Sequence, residues 1–161
     1  MLNKSFKLKK HRRMDREIKI KKACFKTPSQ ETSVRMRLIK SSGTKLEWKM
    51  EEIFEKIALS YVRQPRLLGR PDFRIKGTNV VVFCDSSFWH GRKERERNGL
   101  SFKKNRKFWA AKLTYNRKRD LKTNRALKRE GWRVLRFWDT DIFKFPEKVS
   151  SKLLIGTMKN G

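Results

Sequence analysis

Four consecutive large apolar residues, Val80-Val81-Val82-Phe83, stand between the polar segments Lys76-Gly77-Thr78-Asn79 and Cys84-Asp85. A strand with one wet face alternates apolar and polar side chains. An unbroken run predicts instead a central strand buried on both faces.

The flanking segments predict what lies around it. Thr44-Lys45-Leu46-Glu47 fits a capping box, in which a threonine and a glutamate satisfy each other's backbone donors. Leu46, Met50, Ile53, Phe54, Ile57 and Ala58 follow at helical spacing, so a helix is expected to about Ser60. Tyr61–Gln64 and Asp72–Lys76 are expected strands, separated by the turn signal Leu68-Gly69-Arg70-Pro71. Gly77-Thr78 joins them to the central strand, Asn79–Cys84. The polar, glycine-bearing stretch Gly91–Lys104 is expected to be a loop. A long helix should run from about Asn105 to Glu130, with Gly131 as its stop. Trp132–Trp138 is rich in β-formers, and Asp141–Leu154 should close the fold with a short helix entered near Pro146. The order α, β-β-β, α, β, α predicts an α/β fold, a mixed sheet flanked by helices.

The charge says what such a domain meets. Lys and Arg number 44 against 16 Asp and Glu, a formal charge of +28. Self-repulsion of that size disfavours a compact chain until an anion relieves it, and a nucleic-acid backbone is the anion that basic side chains bind by releasing counterions. Charge alone does not say whether anything is cut. Residues 1–43 are read as a basic arm, with Met1–Glu31 largely disordered in the absence of DNA and Thr32–Ser42 a short helix. A solvated charge run with no specific task is the plainer alternative for that arm. The ordered domain is placed at 44–155, with 156–161 a flexible tail. Two cysteines, Cys24 and Cys84, form no CxxC pair, which argues against a disulfide framework or zinc cluster. Neither a secretory h-region nor a long apolar span is visible, so the chain is expected in the cytoplasm, associated with the nucleoid.

Three segments carry chemistry. Gly69-Arg70-Pro71-Asp72-Phe73 places a carboxylate at a turn-to-strand junction. The central strand delivers a second carboxylate, Asp85, and His90 follows in Ser86-Ser87-Phe88-Trp89-His90. Asn116-Arg117-Lys118-Arg119-Asp120 lies inside the long helix. Phosphodiester hydrolysis requires a hard divalent cation on oxygen ligands and a base that titrates near neutrality. Asp72, Asp85 and His90 supply that inventory, and Glu47 is placed to join it from the first helix. Each has a plainer role: Glu47 in the capping box, Asp72 as a turn residue, Asp85 as a cap, His90 as a surface histidine, Asp120 in a helix-face charge network.

At these residues the chain resembles the very short patch repair (Vsr) endonucleases, which nick DNA at T·G mismatches, and the related EDxHD homing endonucleases. The matching pieces are Gly69-Arg70-Pro71-Asp72-Phe73, Phe88-Trp89-His90, Asn105-Arg106-Lys107-Phe108-Trp109, Asn116-Arg117-Lys118-Arg119-Asp120 and Glu130-Gly131-Trp132-Arg133-Val134-Leu135-Arg136. Order and spacing agree across about Ser33 to Trp138. The resemblance implies a restriction-endonuclease-like core of the PD-(D/E)xK type, three layers α/β/α. It implies Mg²⁺ (Mn²⁺ as a substitute) on Asp72 and the backbone carbonyl of Cys84, His90 as general base, Glu47 supporting the base or hydrated metal, and Asp120 pairing with position 85 or organising it. Asp85 stands where the repair enzymes have a histidine. Phe88, Trp89 and Trp109 match residues that wedge into the base stack, with Met36 entering from the other groove, although burial in the core is the plainer role for Phe88 and Trp89. Arg70, Lys112, Asn116 and Arg117 are implied DNA contacts. The expected partner is double-stranded DNA, bound by a monomer, with no membrane.

Two departures matter. Ser87 replaces the family's zinc-site cysteine before Phe88, and Arg92-Lys93-Glu94-Arg95 follow Gly91, so no structural zinc is expected. The amino-terminal arm is also longer and more basic than the family's. Both bear on mismatch specificity more than on nuclease chemistry. The alternatives are a homing or other site-specific endonuclease that cuts matched duplex, and a non-catalytic basic DNA-binding protein.

Overall fold

The computed structural model describes residues 30–38, 43–92 and 105–158. They fall into two units, residues 1–39 and 40–161. Of the first, one helix is described, α1 (Gln30–Arg37), which begins two residues before the expected Thr32. The expectations for Met1–Ser29 and for most of Gly91–Lys104 lie outside the described residues, as does the side chain of Met36.

The second unit opens with α2 (Lys45–Lys56). Its cap is the expected box: Thr44 accepts from the Glu47 amide at 3.3 Å, and Glu47 Oε1 accepts from the Thr44 hydroxyl at 3.0 Å. The helix stops at Ile57, short of Ser60, because Ala58 turns left-handed at φ 52°. Three strands follow, β1 (Tyr61–Arg63), β2 (Phe73–Ile75) and β3 (Val80–Asp85). Helix α3 (Arg106–Arg129), strand β4 (Arg133–Trp138) and helices α4 (Asp139–Lys144) and α5 (Pro146–Met158) complete the unit. The sheet order is β1-β2-β3-β4, antiparallel through the meander and parallel between β3 and β4, where α3 makes the crossover. That is the mixed sheet expected from the sequence.

Strand alternation sorts the central run onto two faces. Val80 and Val82 join Phe73, Ile75 and Phe137 against Met50, Ile53 and Phe54 of α2, Ile142 of α4, and Val149 and Leu153 of α5. Val81 and Phe83 point the other way, to Leu127 of α3 with Leu67, Leu68, Trp132 and Val134 around it. Helices therefore cover both faces, which gives the three layers. The register sets Phe83 beside Arg136 and Asp85 beside Trp138, so the α3 face of the sheet ends in charged side chains.

Two expectations are corrected here. The closing segment is two helices rather than one, α4 starting at Asp139 as the chain leaves β4. The last helix runs to Met158, so residues 156–158 are not a flexible tail. Gly156 is buried on that helix, and a Cβ there would lie 2.8 Å from Leu135 Cδ1.

The turn before Asp72 depends on Gly69. It sits at φ 77°, and a Cβ on it would lie 2.2 Å from Thr123 Cγ2 on α3. Gly69→Ala combines left-handed strain with a clash that α3 or the turn must yield to. It is expected to lower stability by about 2–3 kcal/mol in chemical denaturation. A loss under about 0.5 kcal/mol would show that the turn carries no such constraint.

Candidate active site

The carboxyl ends of β3 and β4, the turn entering β2 and the middle of α3 meet at one edge of the sheet. The turn from Ser86 to Arg92 leaves β3 there and carries Phe88, Trp89 and His90. Its ends are pinned to the start of α4. The Ser87 amide donates to Asp139 Oδ2 at 2.9 Å, its hydroxyl to Oδ1, and Arg92 reaches Asp141 at 2.7 Å.

Asp72 enters from the β2 side. Its Oδ2 accepts the Cys84 amide at 2.7 Å, which ties the turn to the central strand. Its Oδ1 takes no protein donor among the described residues. Burial pushes the Asp72 carboxyl up to about 6; the Cys84 amide opposes this, the charges of Glu47 and Asp85 add to it, and Arg136 opposes it. Burial also pushes the Cys84 thiol well up, so Cys84 offers the site its peptide group rather than a thiolate.

Asp85 is buried, with 6 % of its surface exposed. Arg136 grips it with two parallel bonds, Nε to Oδ2 and Nη2 to Oδ1, each 2.6 Å. Asp85 does not cap the following segment. Glu47, 4 % exposed, closes the capping box with its oxygens, and its charge bears on Asp72.

His90 Nδ1 lies 2.7 Å from Asp120 Oδ2 and its Nε2 3.8 Å from Asp85 Oδ1. Burial alone would raise the Asp120 carboxyl, but the His90 hydrogen bond and the charges of Arg136, His90 and Arg119 outweigh it and hold Asp120 lower than usual. An ionised Asp120 only accepts hydrogen bonds, so the neutral imidazole carries its proton on Nδ1 and keeps a lone pair on Nε2. Neither His90 nor Asp120 is the solvent-facing residue of the plainer reading.

The aromatic residues form a cluster beside this histidine. Phe88 stacks edge-on to Trp89 and Trp109 at 4.8 and 5.1 Å, and Phe108 meets Trp109 at 5.3 Å. Phe88 is 47 % exposed, and neither Trp89 nor Trp109 is fully buried, so none of these rings belongs to the core. Asn116, expected at DNA, is 5 % exposed and donates to the Trp89 carbonyl at 2.8 Å, so its amide positions the aromatic turn. Arg70 and Arg117 are exposed as expected, and the Lys112 ammonium lies over the Tyr115 ring. Arg136 ends one of the matching pieces but was assigned no role there; in the structure it links Asp85 to Asp120.

Among the described residues no three His, Cys, Asp or Glu side chains converge as a self-sufficient metal site. A small divalent cation does not require one, since it keeps much of its water and binds through one or two carboxylates. Asp72 has a spare oxygen, a raised pKa and two further carboxylates acting on it; that is an anionic pocket short of positive charge, and it fits a hard divalent cation.

Comparison with known proteins agrees with this arrangement. The family model described as DNA mismatch endonuclease Vsr matches residues 25–96. The type II nicking enzyme V.NmeDIP of Neisseria meningitidis serogroup C is 41% identical over 119 residues, 73% of this chain and 79% of that one. The type II nicking enzyme V.HpaIIP of Haemophilus parainfluenzae is 34% identical over 79% of this chain and 90% of its own. The DNA mismatch endonuclease Vsr of Escherichia coli K12 is 31% identical over 66% of this chain and 68% of its own. Among solved structures, the catalytic domain of the homing endonuclease I-Bth0305I superimposes with a TM-score of 0.48 at 19% identity, covering 71% of this chain and 94% of that one. With its site assembled at the sheet edge and relatives of this identity and coverage, the chain belongs to the Vsr family of DNA endonucleases.

Proposed function

We propose that this chain is an Mg²⁺-dependent enzyme that nicks one strand of DNA at a T·G mismatch, a step in repair. One observation carries the proposal. A histidine oriented by Asp120 at 2.7 Å and a carboxyl with a spare oxygen flank the same Asp85–Arg136 pair. Hydrolysis of a phosphodiester needs a base for the attacking water and positive charge on the phosphate. The cation, when bound, supplies that charge and acidifies water; Asp72 and the Cys84 carbonyl would hold it, and Mn²⁺ suits the same oxygen ligands. His90 Nε2 takes the proton from water, and Asp120 stabilises the imidazolium that results. Glu47 fixes the start of α2 through the capping box and adds negative charge at Asp72. The exposed ring of Phe88, backed by Trp89 and Trp109, suits insertion beside a weakened base pair.

The names of the relatives support two finer points: several are nicking enzymes, and one is a DNA mismatch endonuclease. A nick requires one active site, which agrees with a monomer on the duplex.

The test is cleavage of end-labelled duplexes that differ only in one T·G pair, with Mg²⁺ and with a chelator. The mismatched duplex is expected to be nicked at least about tenfold faster, with no cutting under chelation. Equal rates on matched and mismatched duplex would replace mismatch repair with site-specific cutting of intact DNA.

A further inference from the structure

Four charged or ionisable side chains from four segments form a closed ring at the site. Starting from His90, Nδ1 meets Asp120 Oδ2 at 2.7 Å; Asp120 Oδ1 lies 3.6 Å from Arg136 Nη2. The same Nη2 lies 2.6 Å from Asp85 Oδ1, and that oxygen is 3.8 Å from His90 Nε2. Asp85 Oδ1 therefore faces two nitrogens, and Arg136 holds it. The guanidinium is itself fixed, with Nη1 3.1 Å from Asn124 Oδ1 and Cζ 4.5 Å from the centre of the Phe83 ring. A planar fork matched to a carboxylate on two bonds is a rigid clamp, which a lysine would not reproduce.

We propose that Arg136 is a positioning residue for the base: its guanidinium holds the Asp85 carboxylate off His90 Nε2 and so keeps that lone pair free for a proton. The proposal rests on His90 acting as the base. Without the clamp, Asp85 would rotate onto Nε2. An imidazole held between two carboxylates takes up a proton and stays charged, and an imidazolium accepts nothing from water. Removing the guanidinium also removes the positive charge that offsets Asp85 and Asp120. Both effects favour the imidazolium.

The charged groups around His90 are Asp85 from β3, Asp120 and Arg119 from α3, and Arg136 from β4. On its own turn, Arg92 is engaged by Asp141, and Asp139 by Ser87. The local balance is thus set by two carboxylates and the Arg136 clamp, with Arg119 weaker at 3.4 Å from Asp120.

The chain contains two histidines, His11 and His90, so imidazole NMR signals of the full-length, metal-free protein are readily assigned. Arg136→Met, Asp85→Asn and the double variant are titrated, with His11 as internal reference. Arg136→Met is expected to raise the His90 midpoint by about one pH unit, Asp85→Asn to lower it, and the double variant to return it close to wild type. Arg136→Met leaves Asp85 buried without its partner; should it not fold, the other two variants decide. Asp85→Asn with an unmoved His90 midpoint, or a double variant no higher than Asp85→Asn, would reduce Arg136 to a packing role. These readouts require no cleavage, so their failure is distinct from failure of the nuclease proposal. In nicking assays, Arg136→Met should lose about tenfold at pH 7 and recover most of it above about pH 8.5. An equal loss at every pH would overturn the clamp.

Discussion

Asp72→Asn is expected to abolish cleavage and at the same time to make the metal-free protein more stable. The two effects have one cause. The Asp72 carboxyl is pushed up to about 6 by burial and by the charges of Glu47 and Asp85. A folded-state value above the unfolded one means that the protonated form is favoured by folding. That contribution is fully present below the unfolded pKa, near 4, and is lost as pH rises through about 6. At pH 7.5 the wild type thus carries a buried, partly repelled carboxylate. A rise of about two pH units corresponds to about 3 kcal/mol as an upper bound. Asparagine removes the charge and still accepts the Cys84 amide. In chelator at pH 7.5 the variant should therefore melt roughly 6–12 °C above wild type, the gap closing toward pH 4. It should bind a mismatched duplex at least as tightly, since a negative charge beside the phosphate is gone. A variant that melts below wild type at pH 7.5, or that still nicks DNA at an appreciable rate, would remove Asp72 from the centre of the site.

A carboxyl raised in this way by burial and by neighbouring charge is common at functional sites, and the sequence exposes the residue more readily than the shift. Arg-Pro-Asp at a turn marked the position, but the raised pKa comes first from burial in the folded chain, with Glu47 and Asp85 arriving from α2 and β3 to add to it. The fold was legible for a related reason. Val80–Phe83 had to be covered twice, and the helical spacing from Leu46 to Ala58 supplied one cover while the long helix supplied the other. Boundaries slipped where a single backbone angle decided them, as at Ala58. The burial of Asn116 was legible in the spacing of the long helix. Leu113, Asn116, Asp120 and Leu127 share the buried stripe of α3, which puts Asn116 inside whatever its chemistry suggests. Arg136 was not legible. Alternation along β4 places it opposite Leu135 and Phe137, but only the parallel register with β3, across 51 residues, brings it to Asp85. That Phe88, Trp89 and Trp109 lie outside the core followed from the resemblance and not from composition, since large aromatics are usually buried.

Asp120→Asn is expected to be more damaging than Asp120→Ala, an order that a simple loss-of-contact account would reverse. In the wild type, Asp120 Oδ2 accepts from His90 Nδ1 at 2.7 Å, which leaves Nε2 unprotonated and able to act as a base. An asparagine can present its NH₂ to the ring instead, because Arg136 and Arg119 lie on the Oδ1 side and favour the amide oxygen there. The imidazole would then carry its proton on Nε2, the nitrogen proposed to take the proton from water. A wrong tautomer of this kind costs on the order of 10³–10⁴ in turnover where a carboxylate orients a catalytic histidine. Alanine removes the orienting bond but lets the ring exchange tautomers, so its loss should be nearer 10²-fold. Both variants keep Asp72 and should bind DNA comparably, which separates chemistry from affinity when single-turnover nicking is measured at saturating protein. Should Asp120→Asn prove as active as Asp120→Ala or more so, His90 does not work through Nε2, and the direction of proton transfer assigned to this site would have to be reversed.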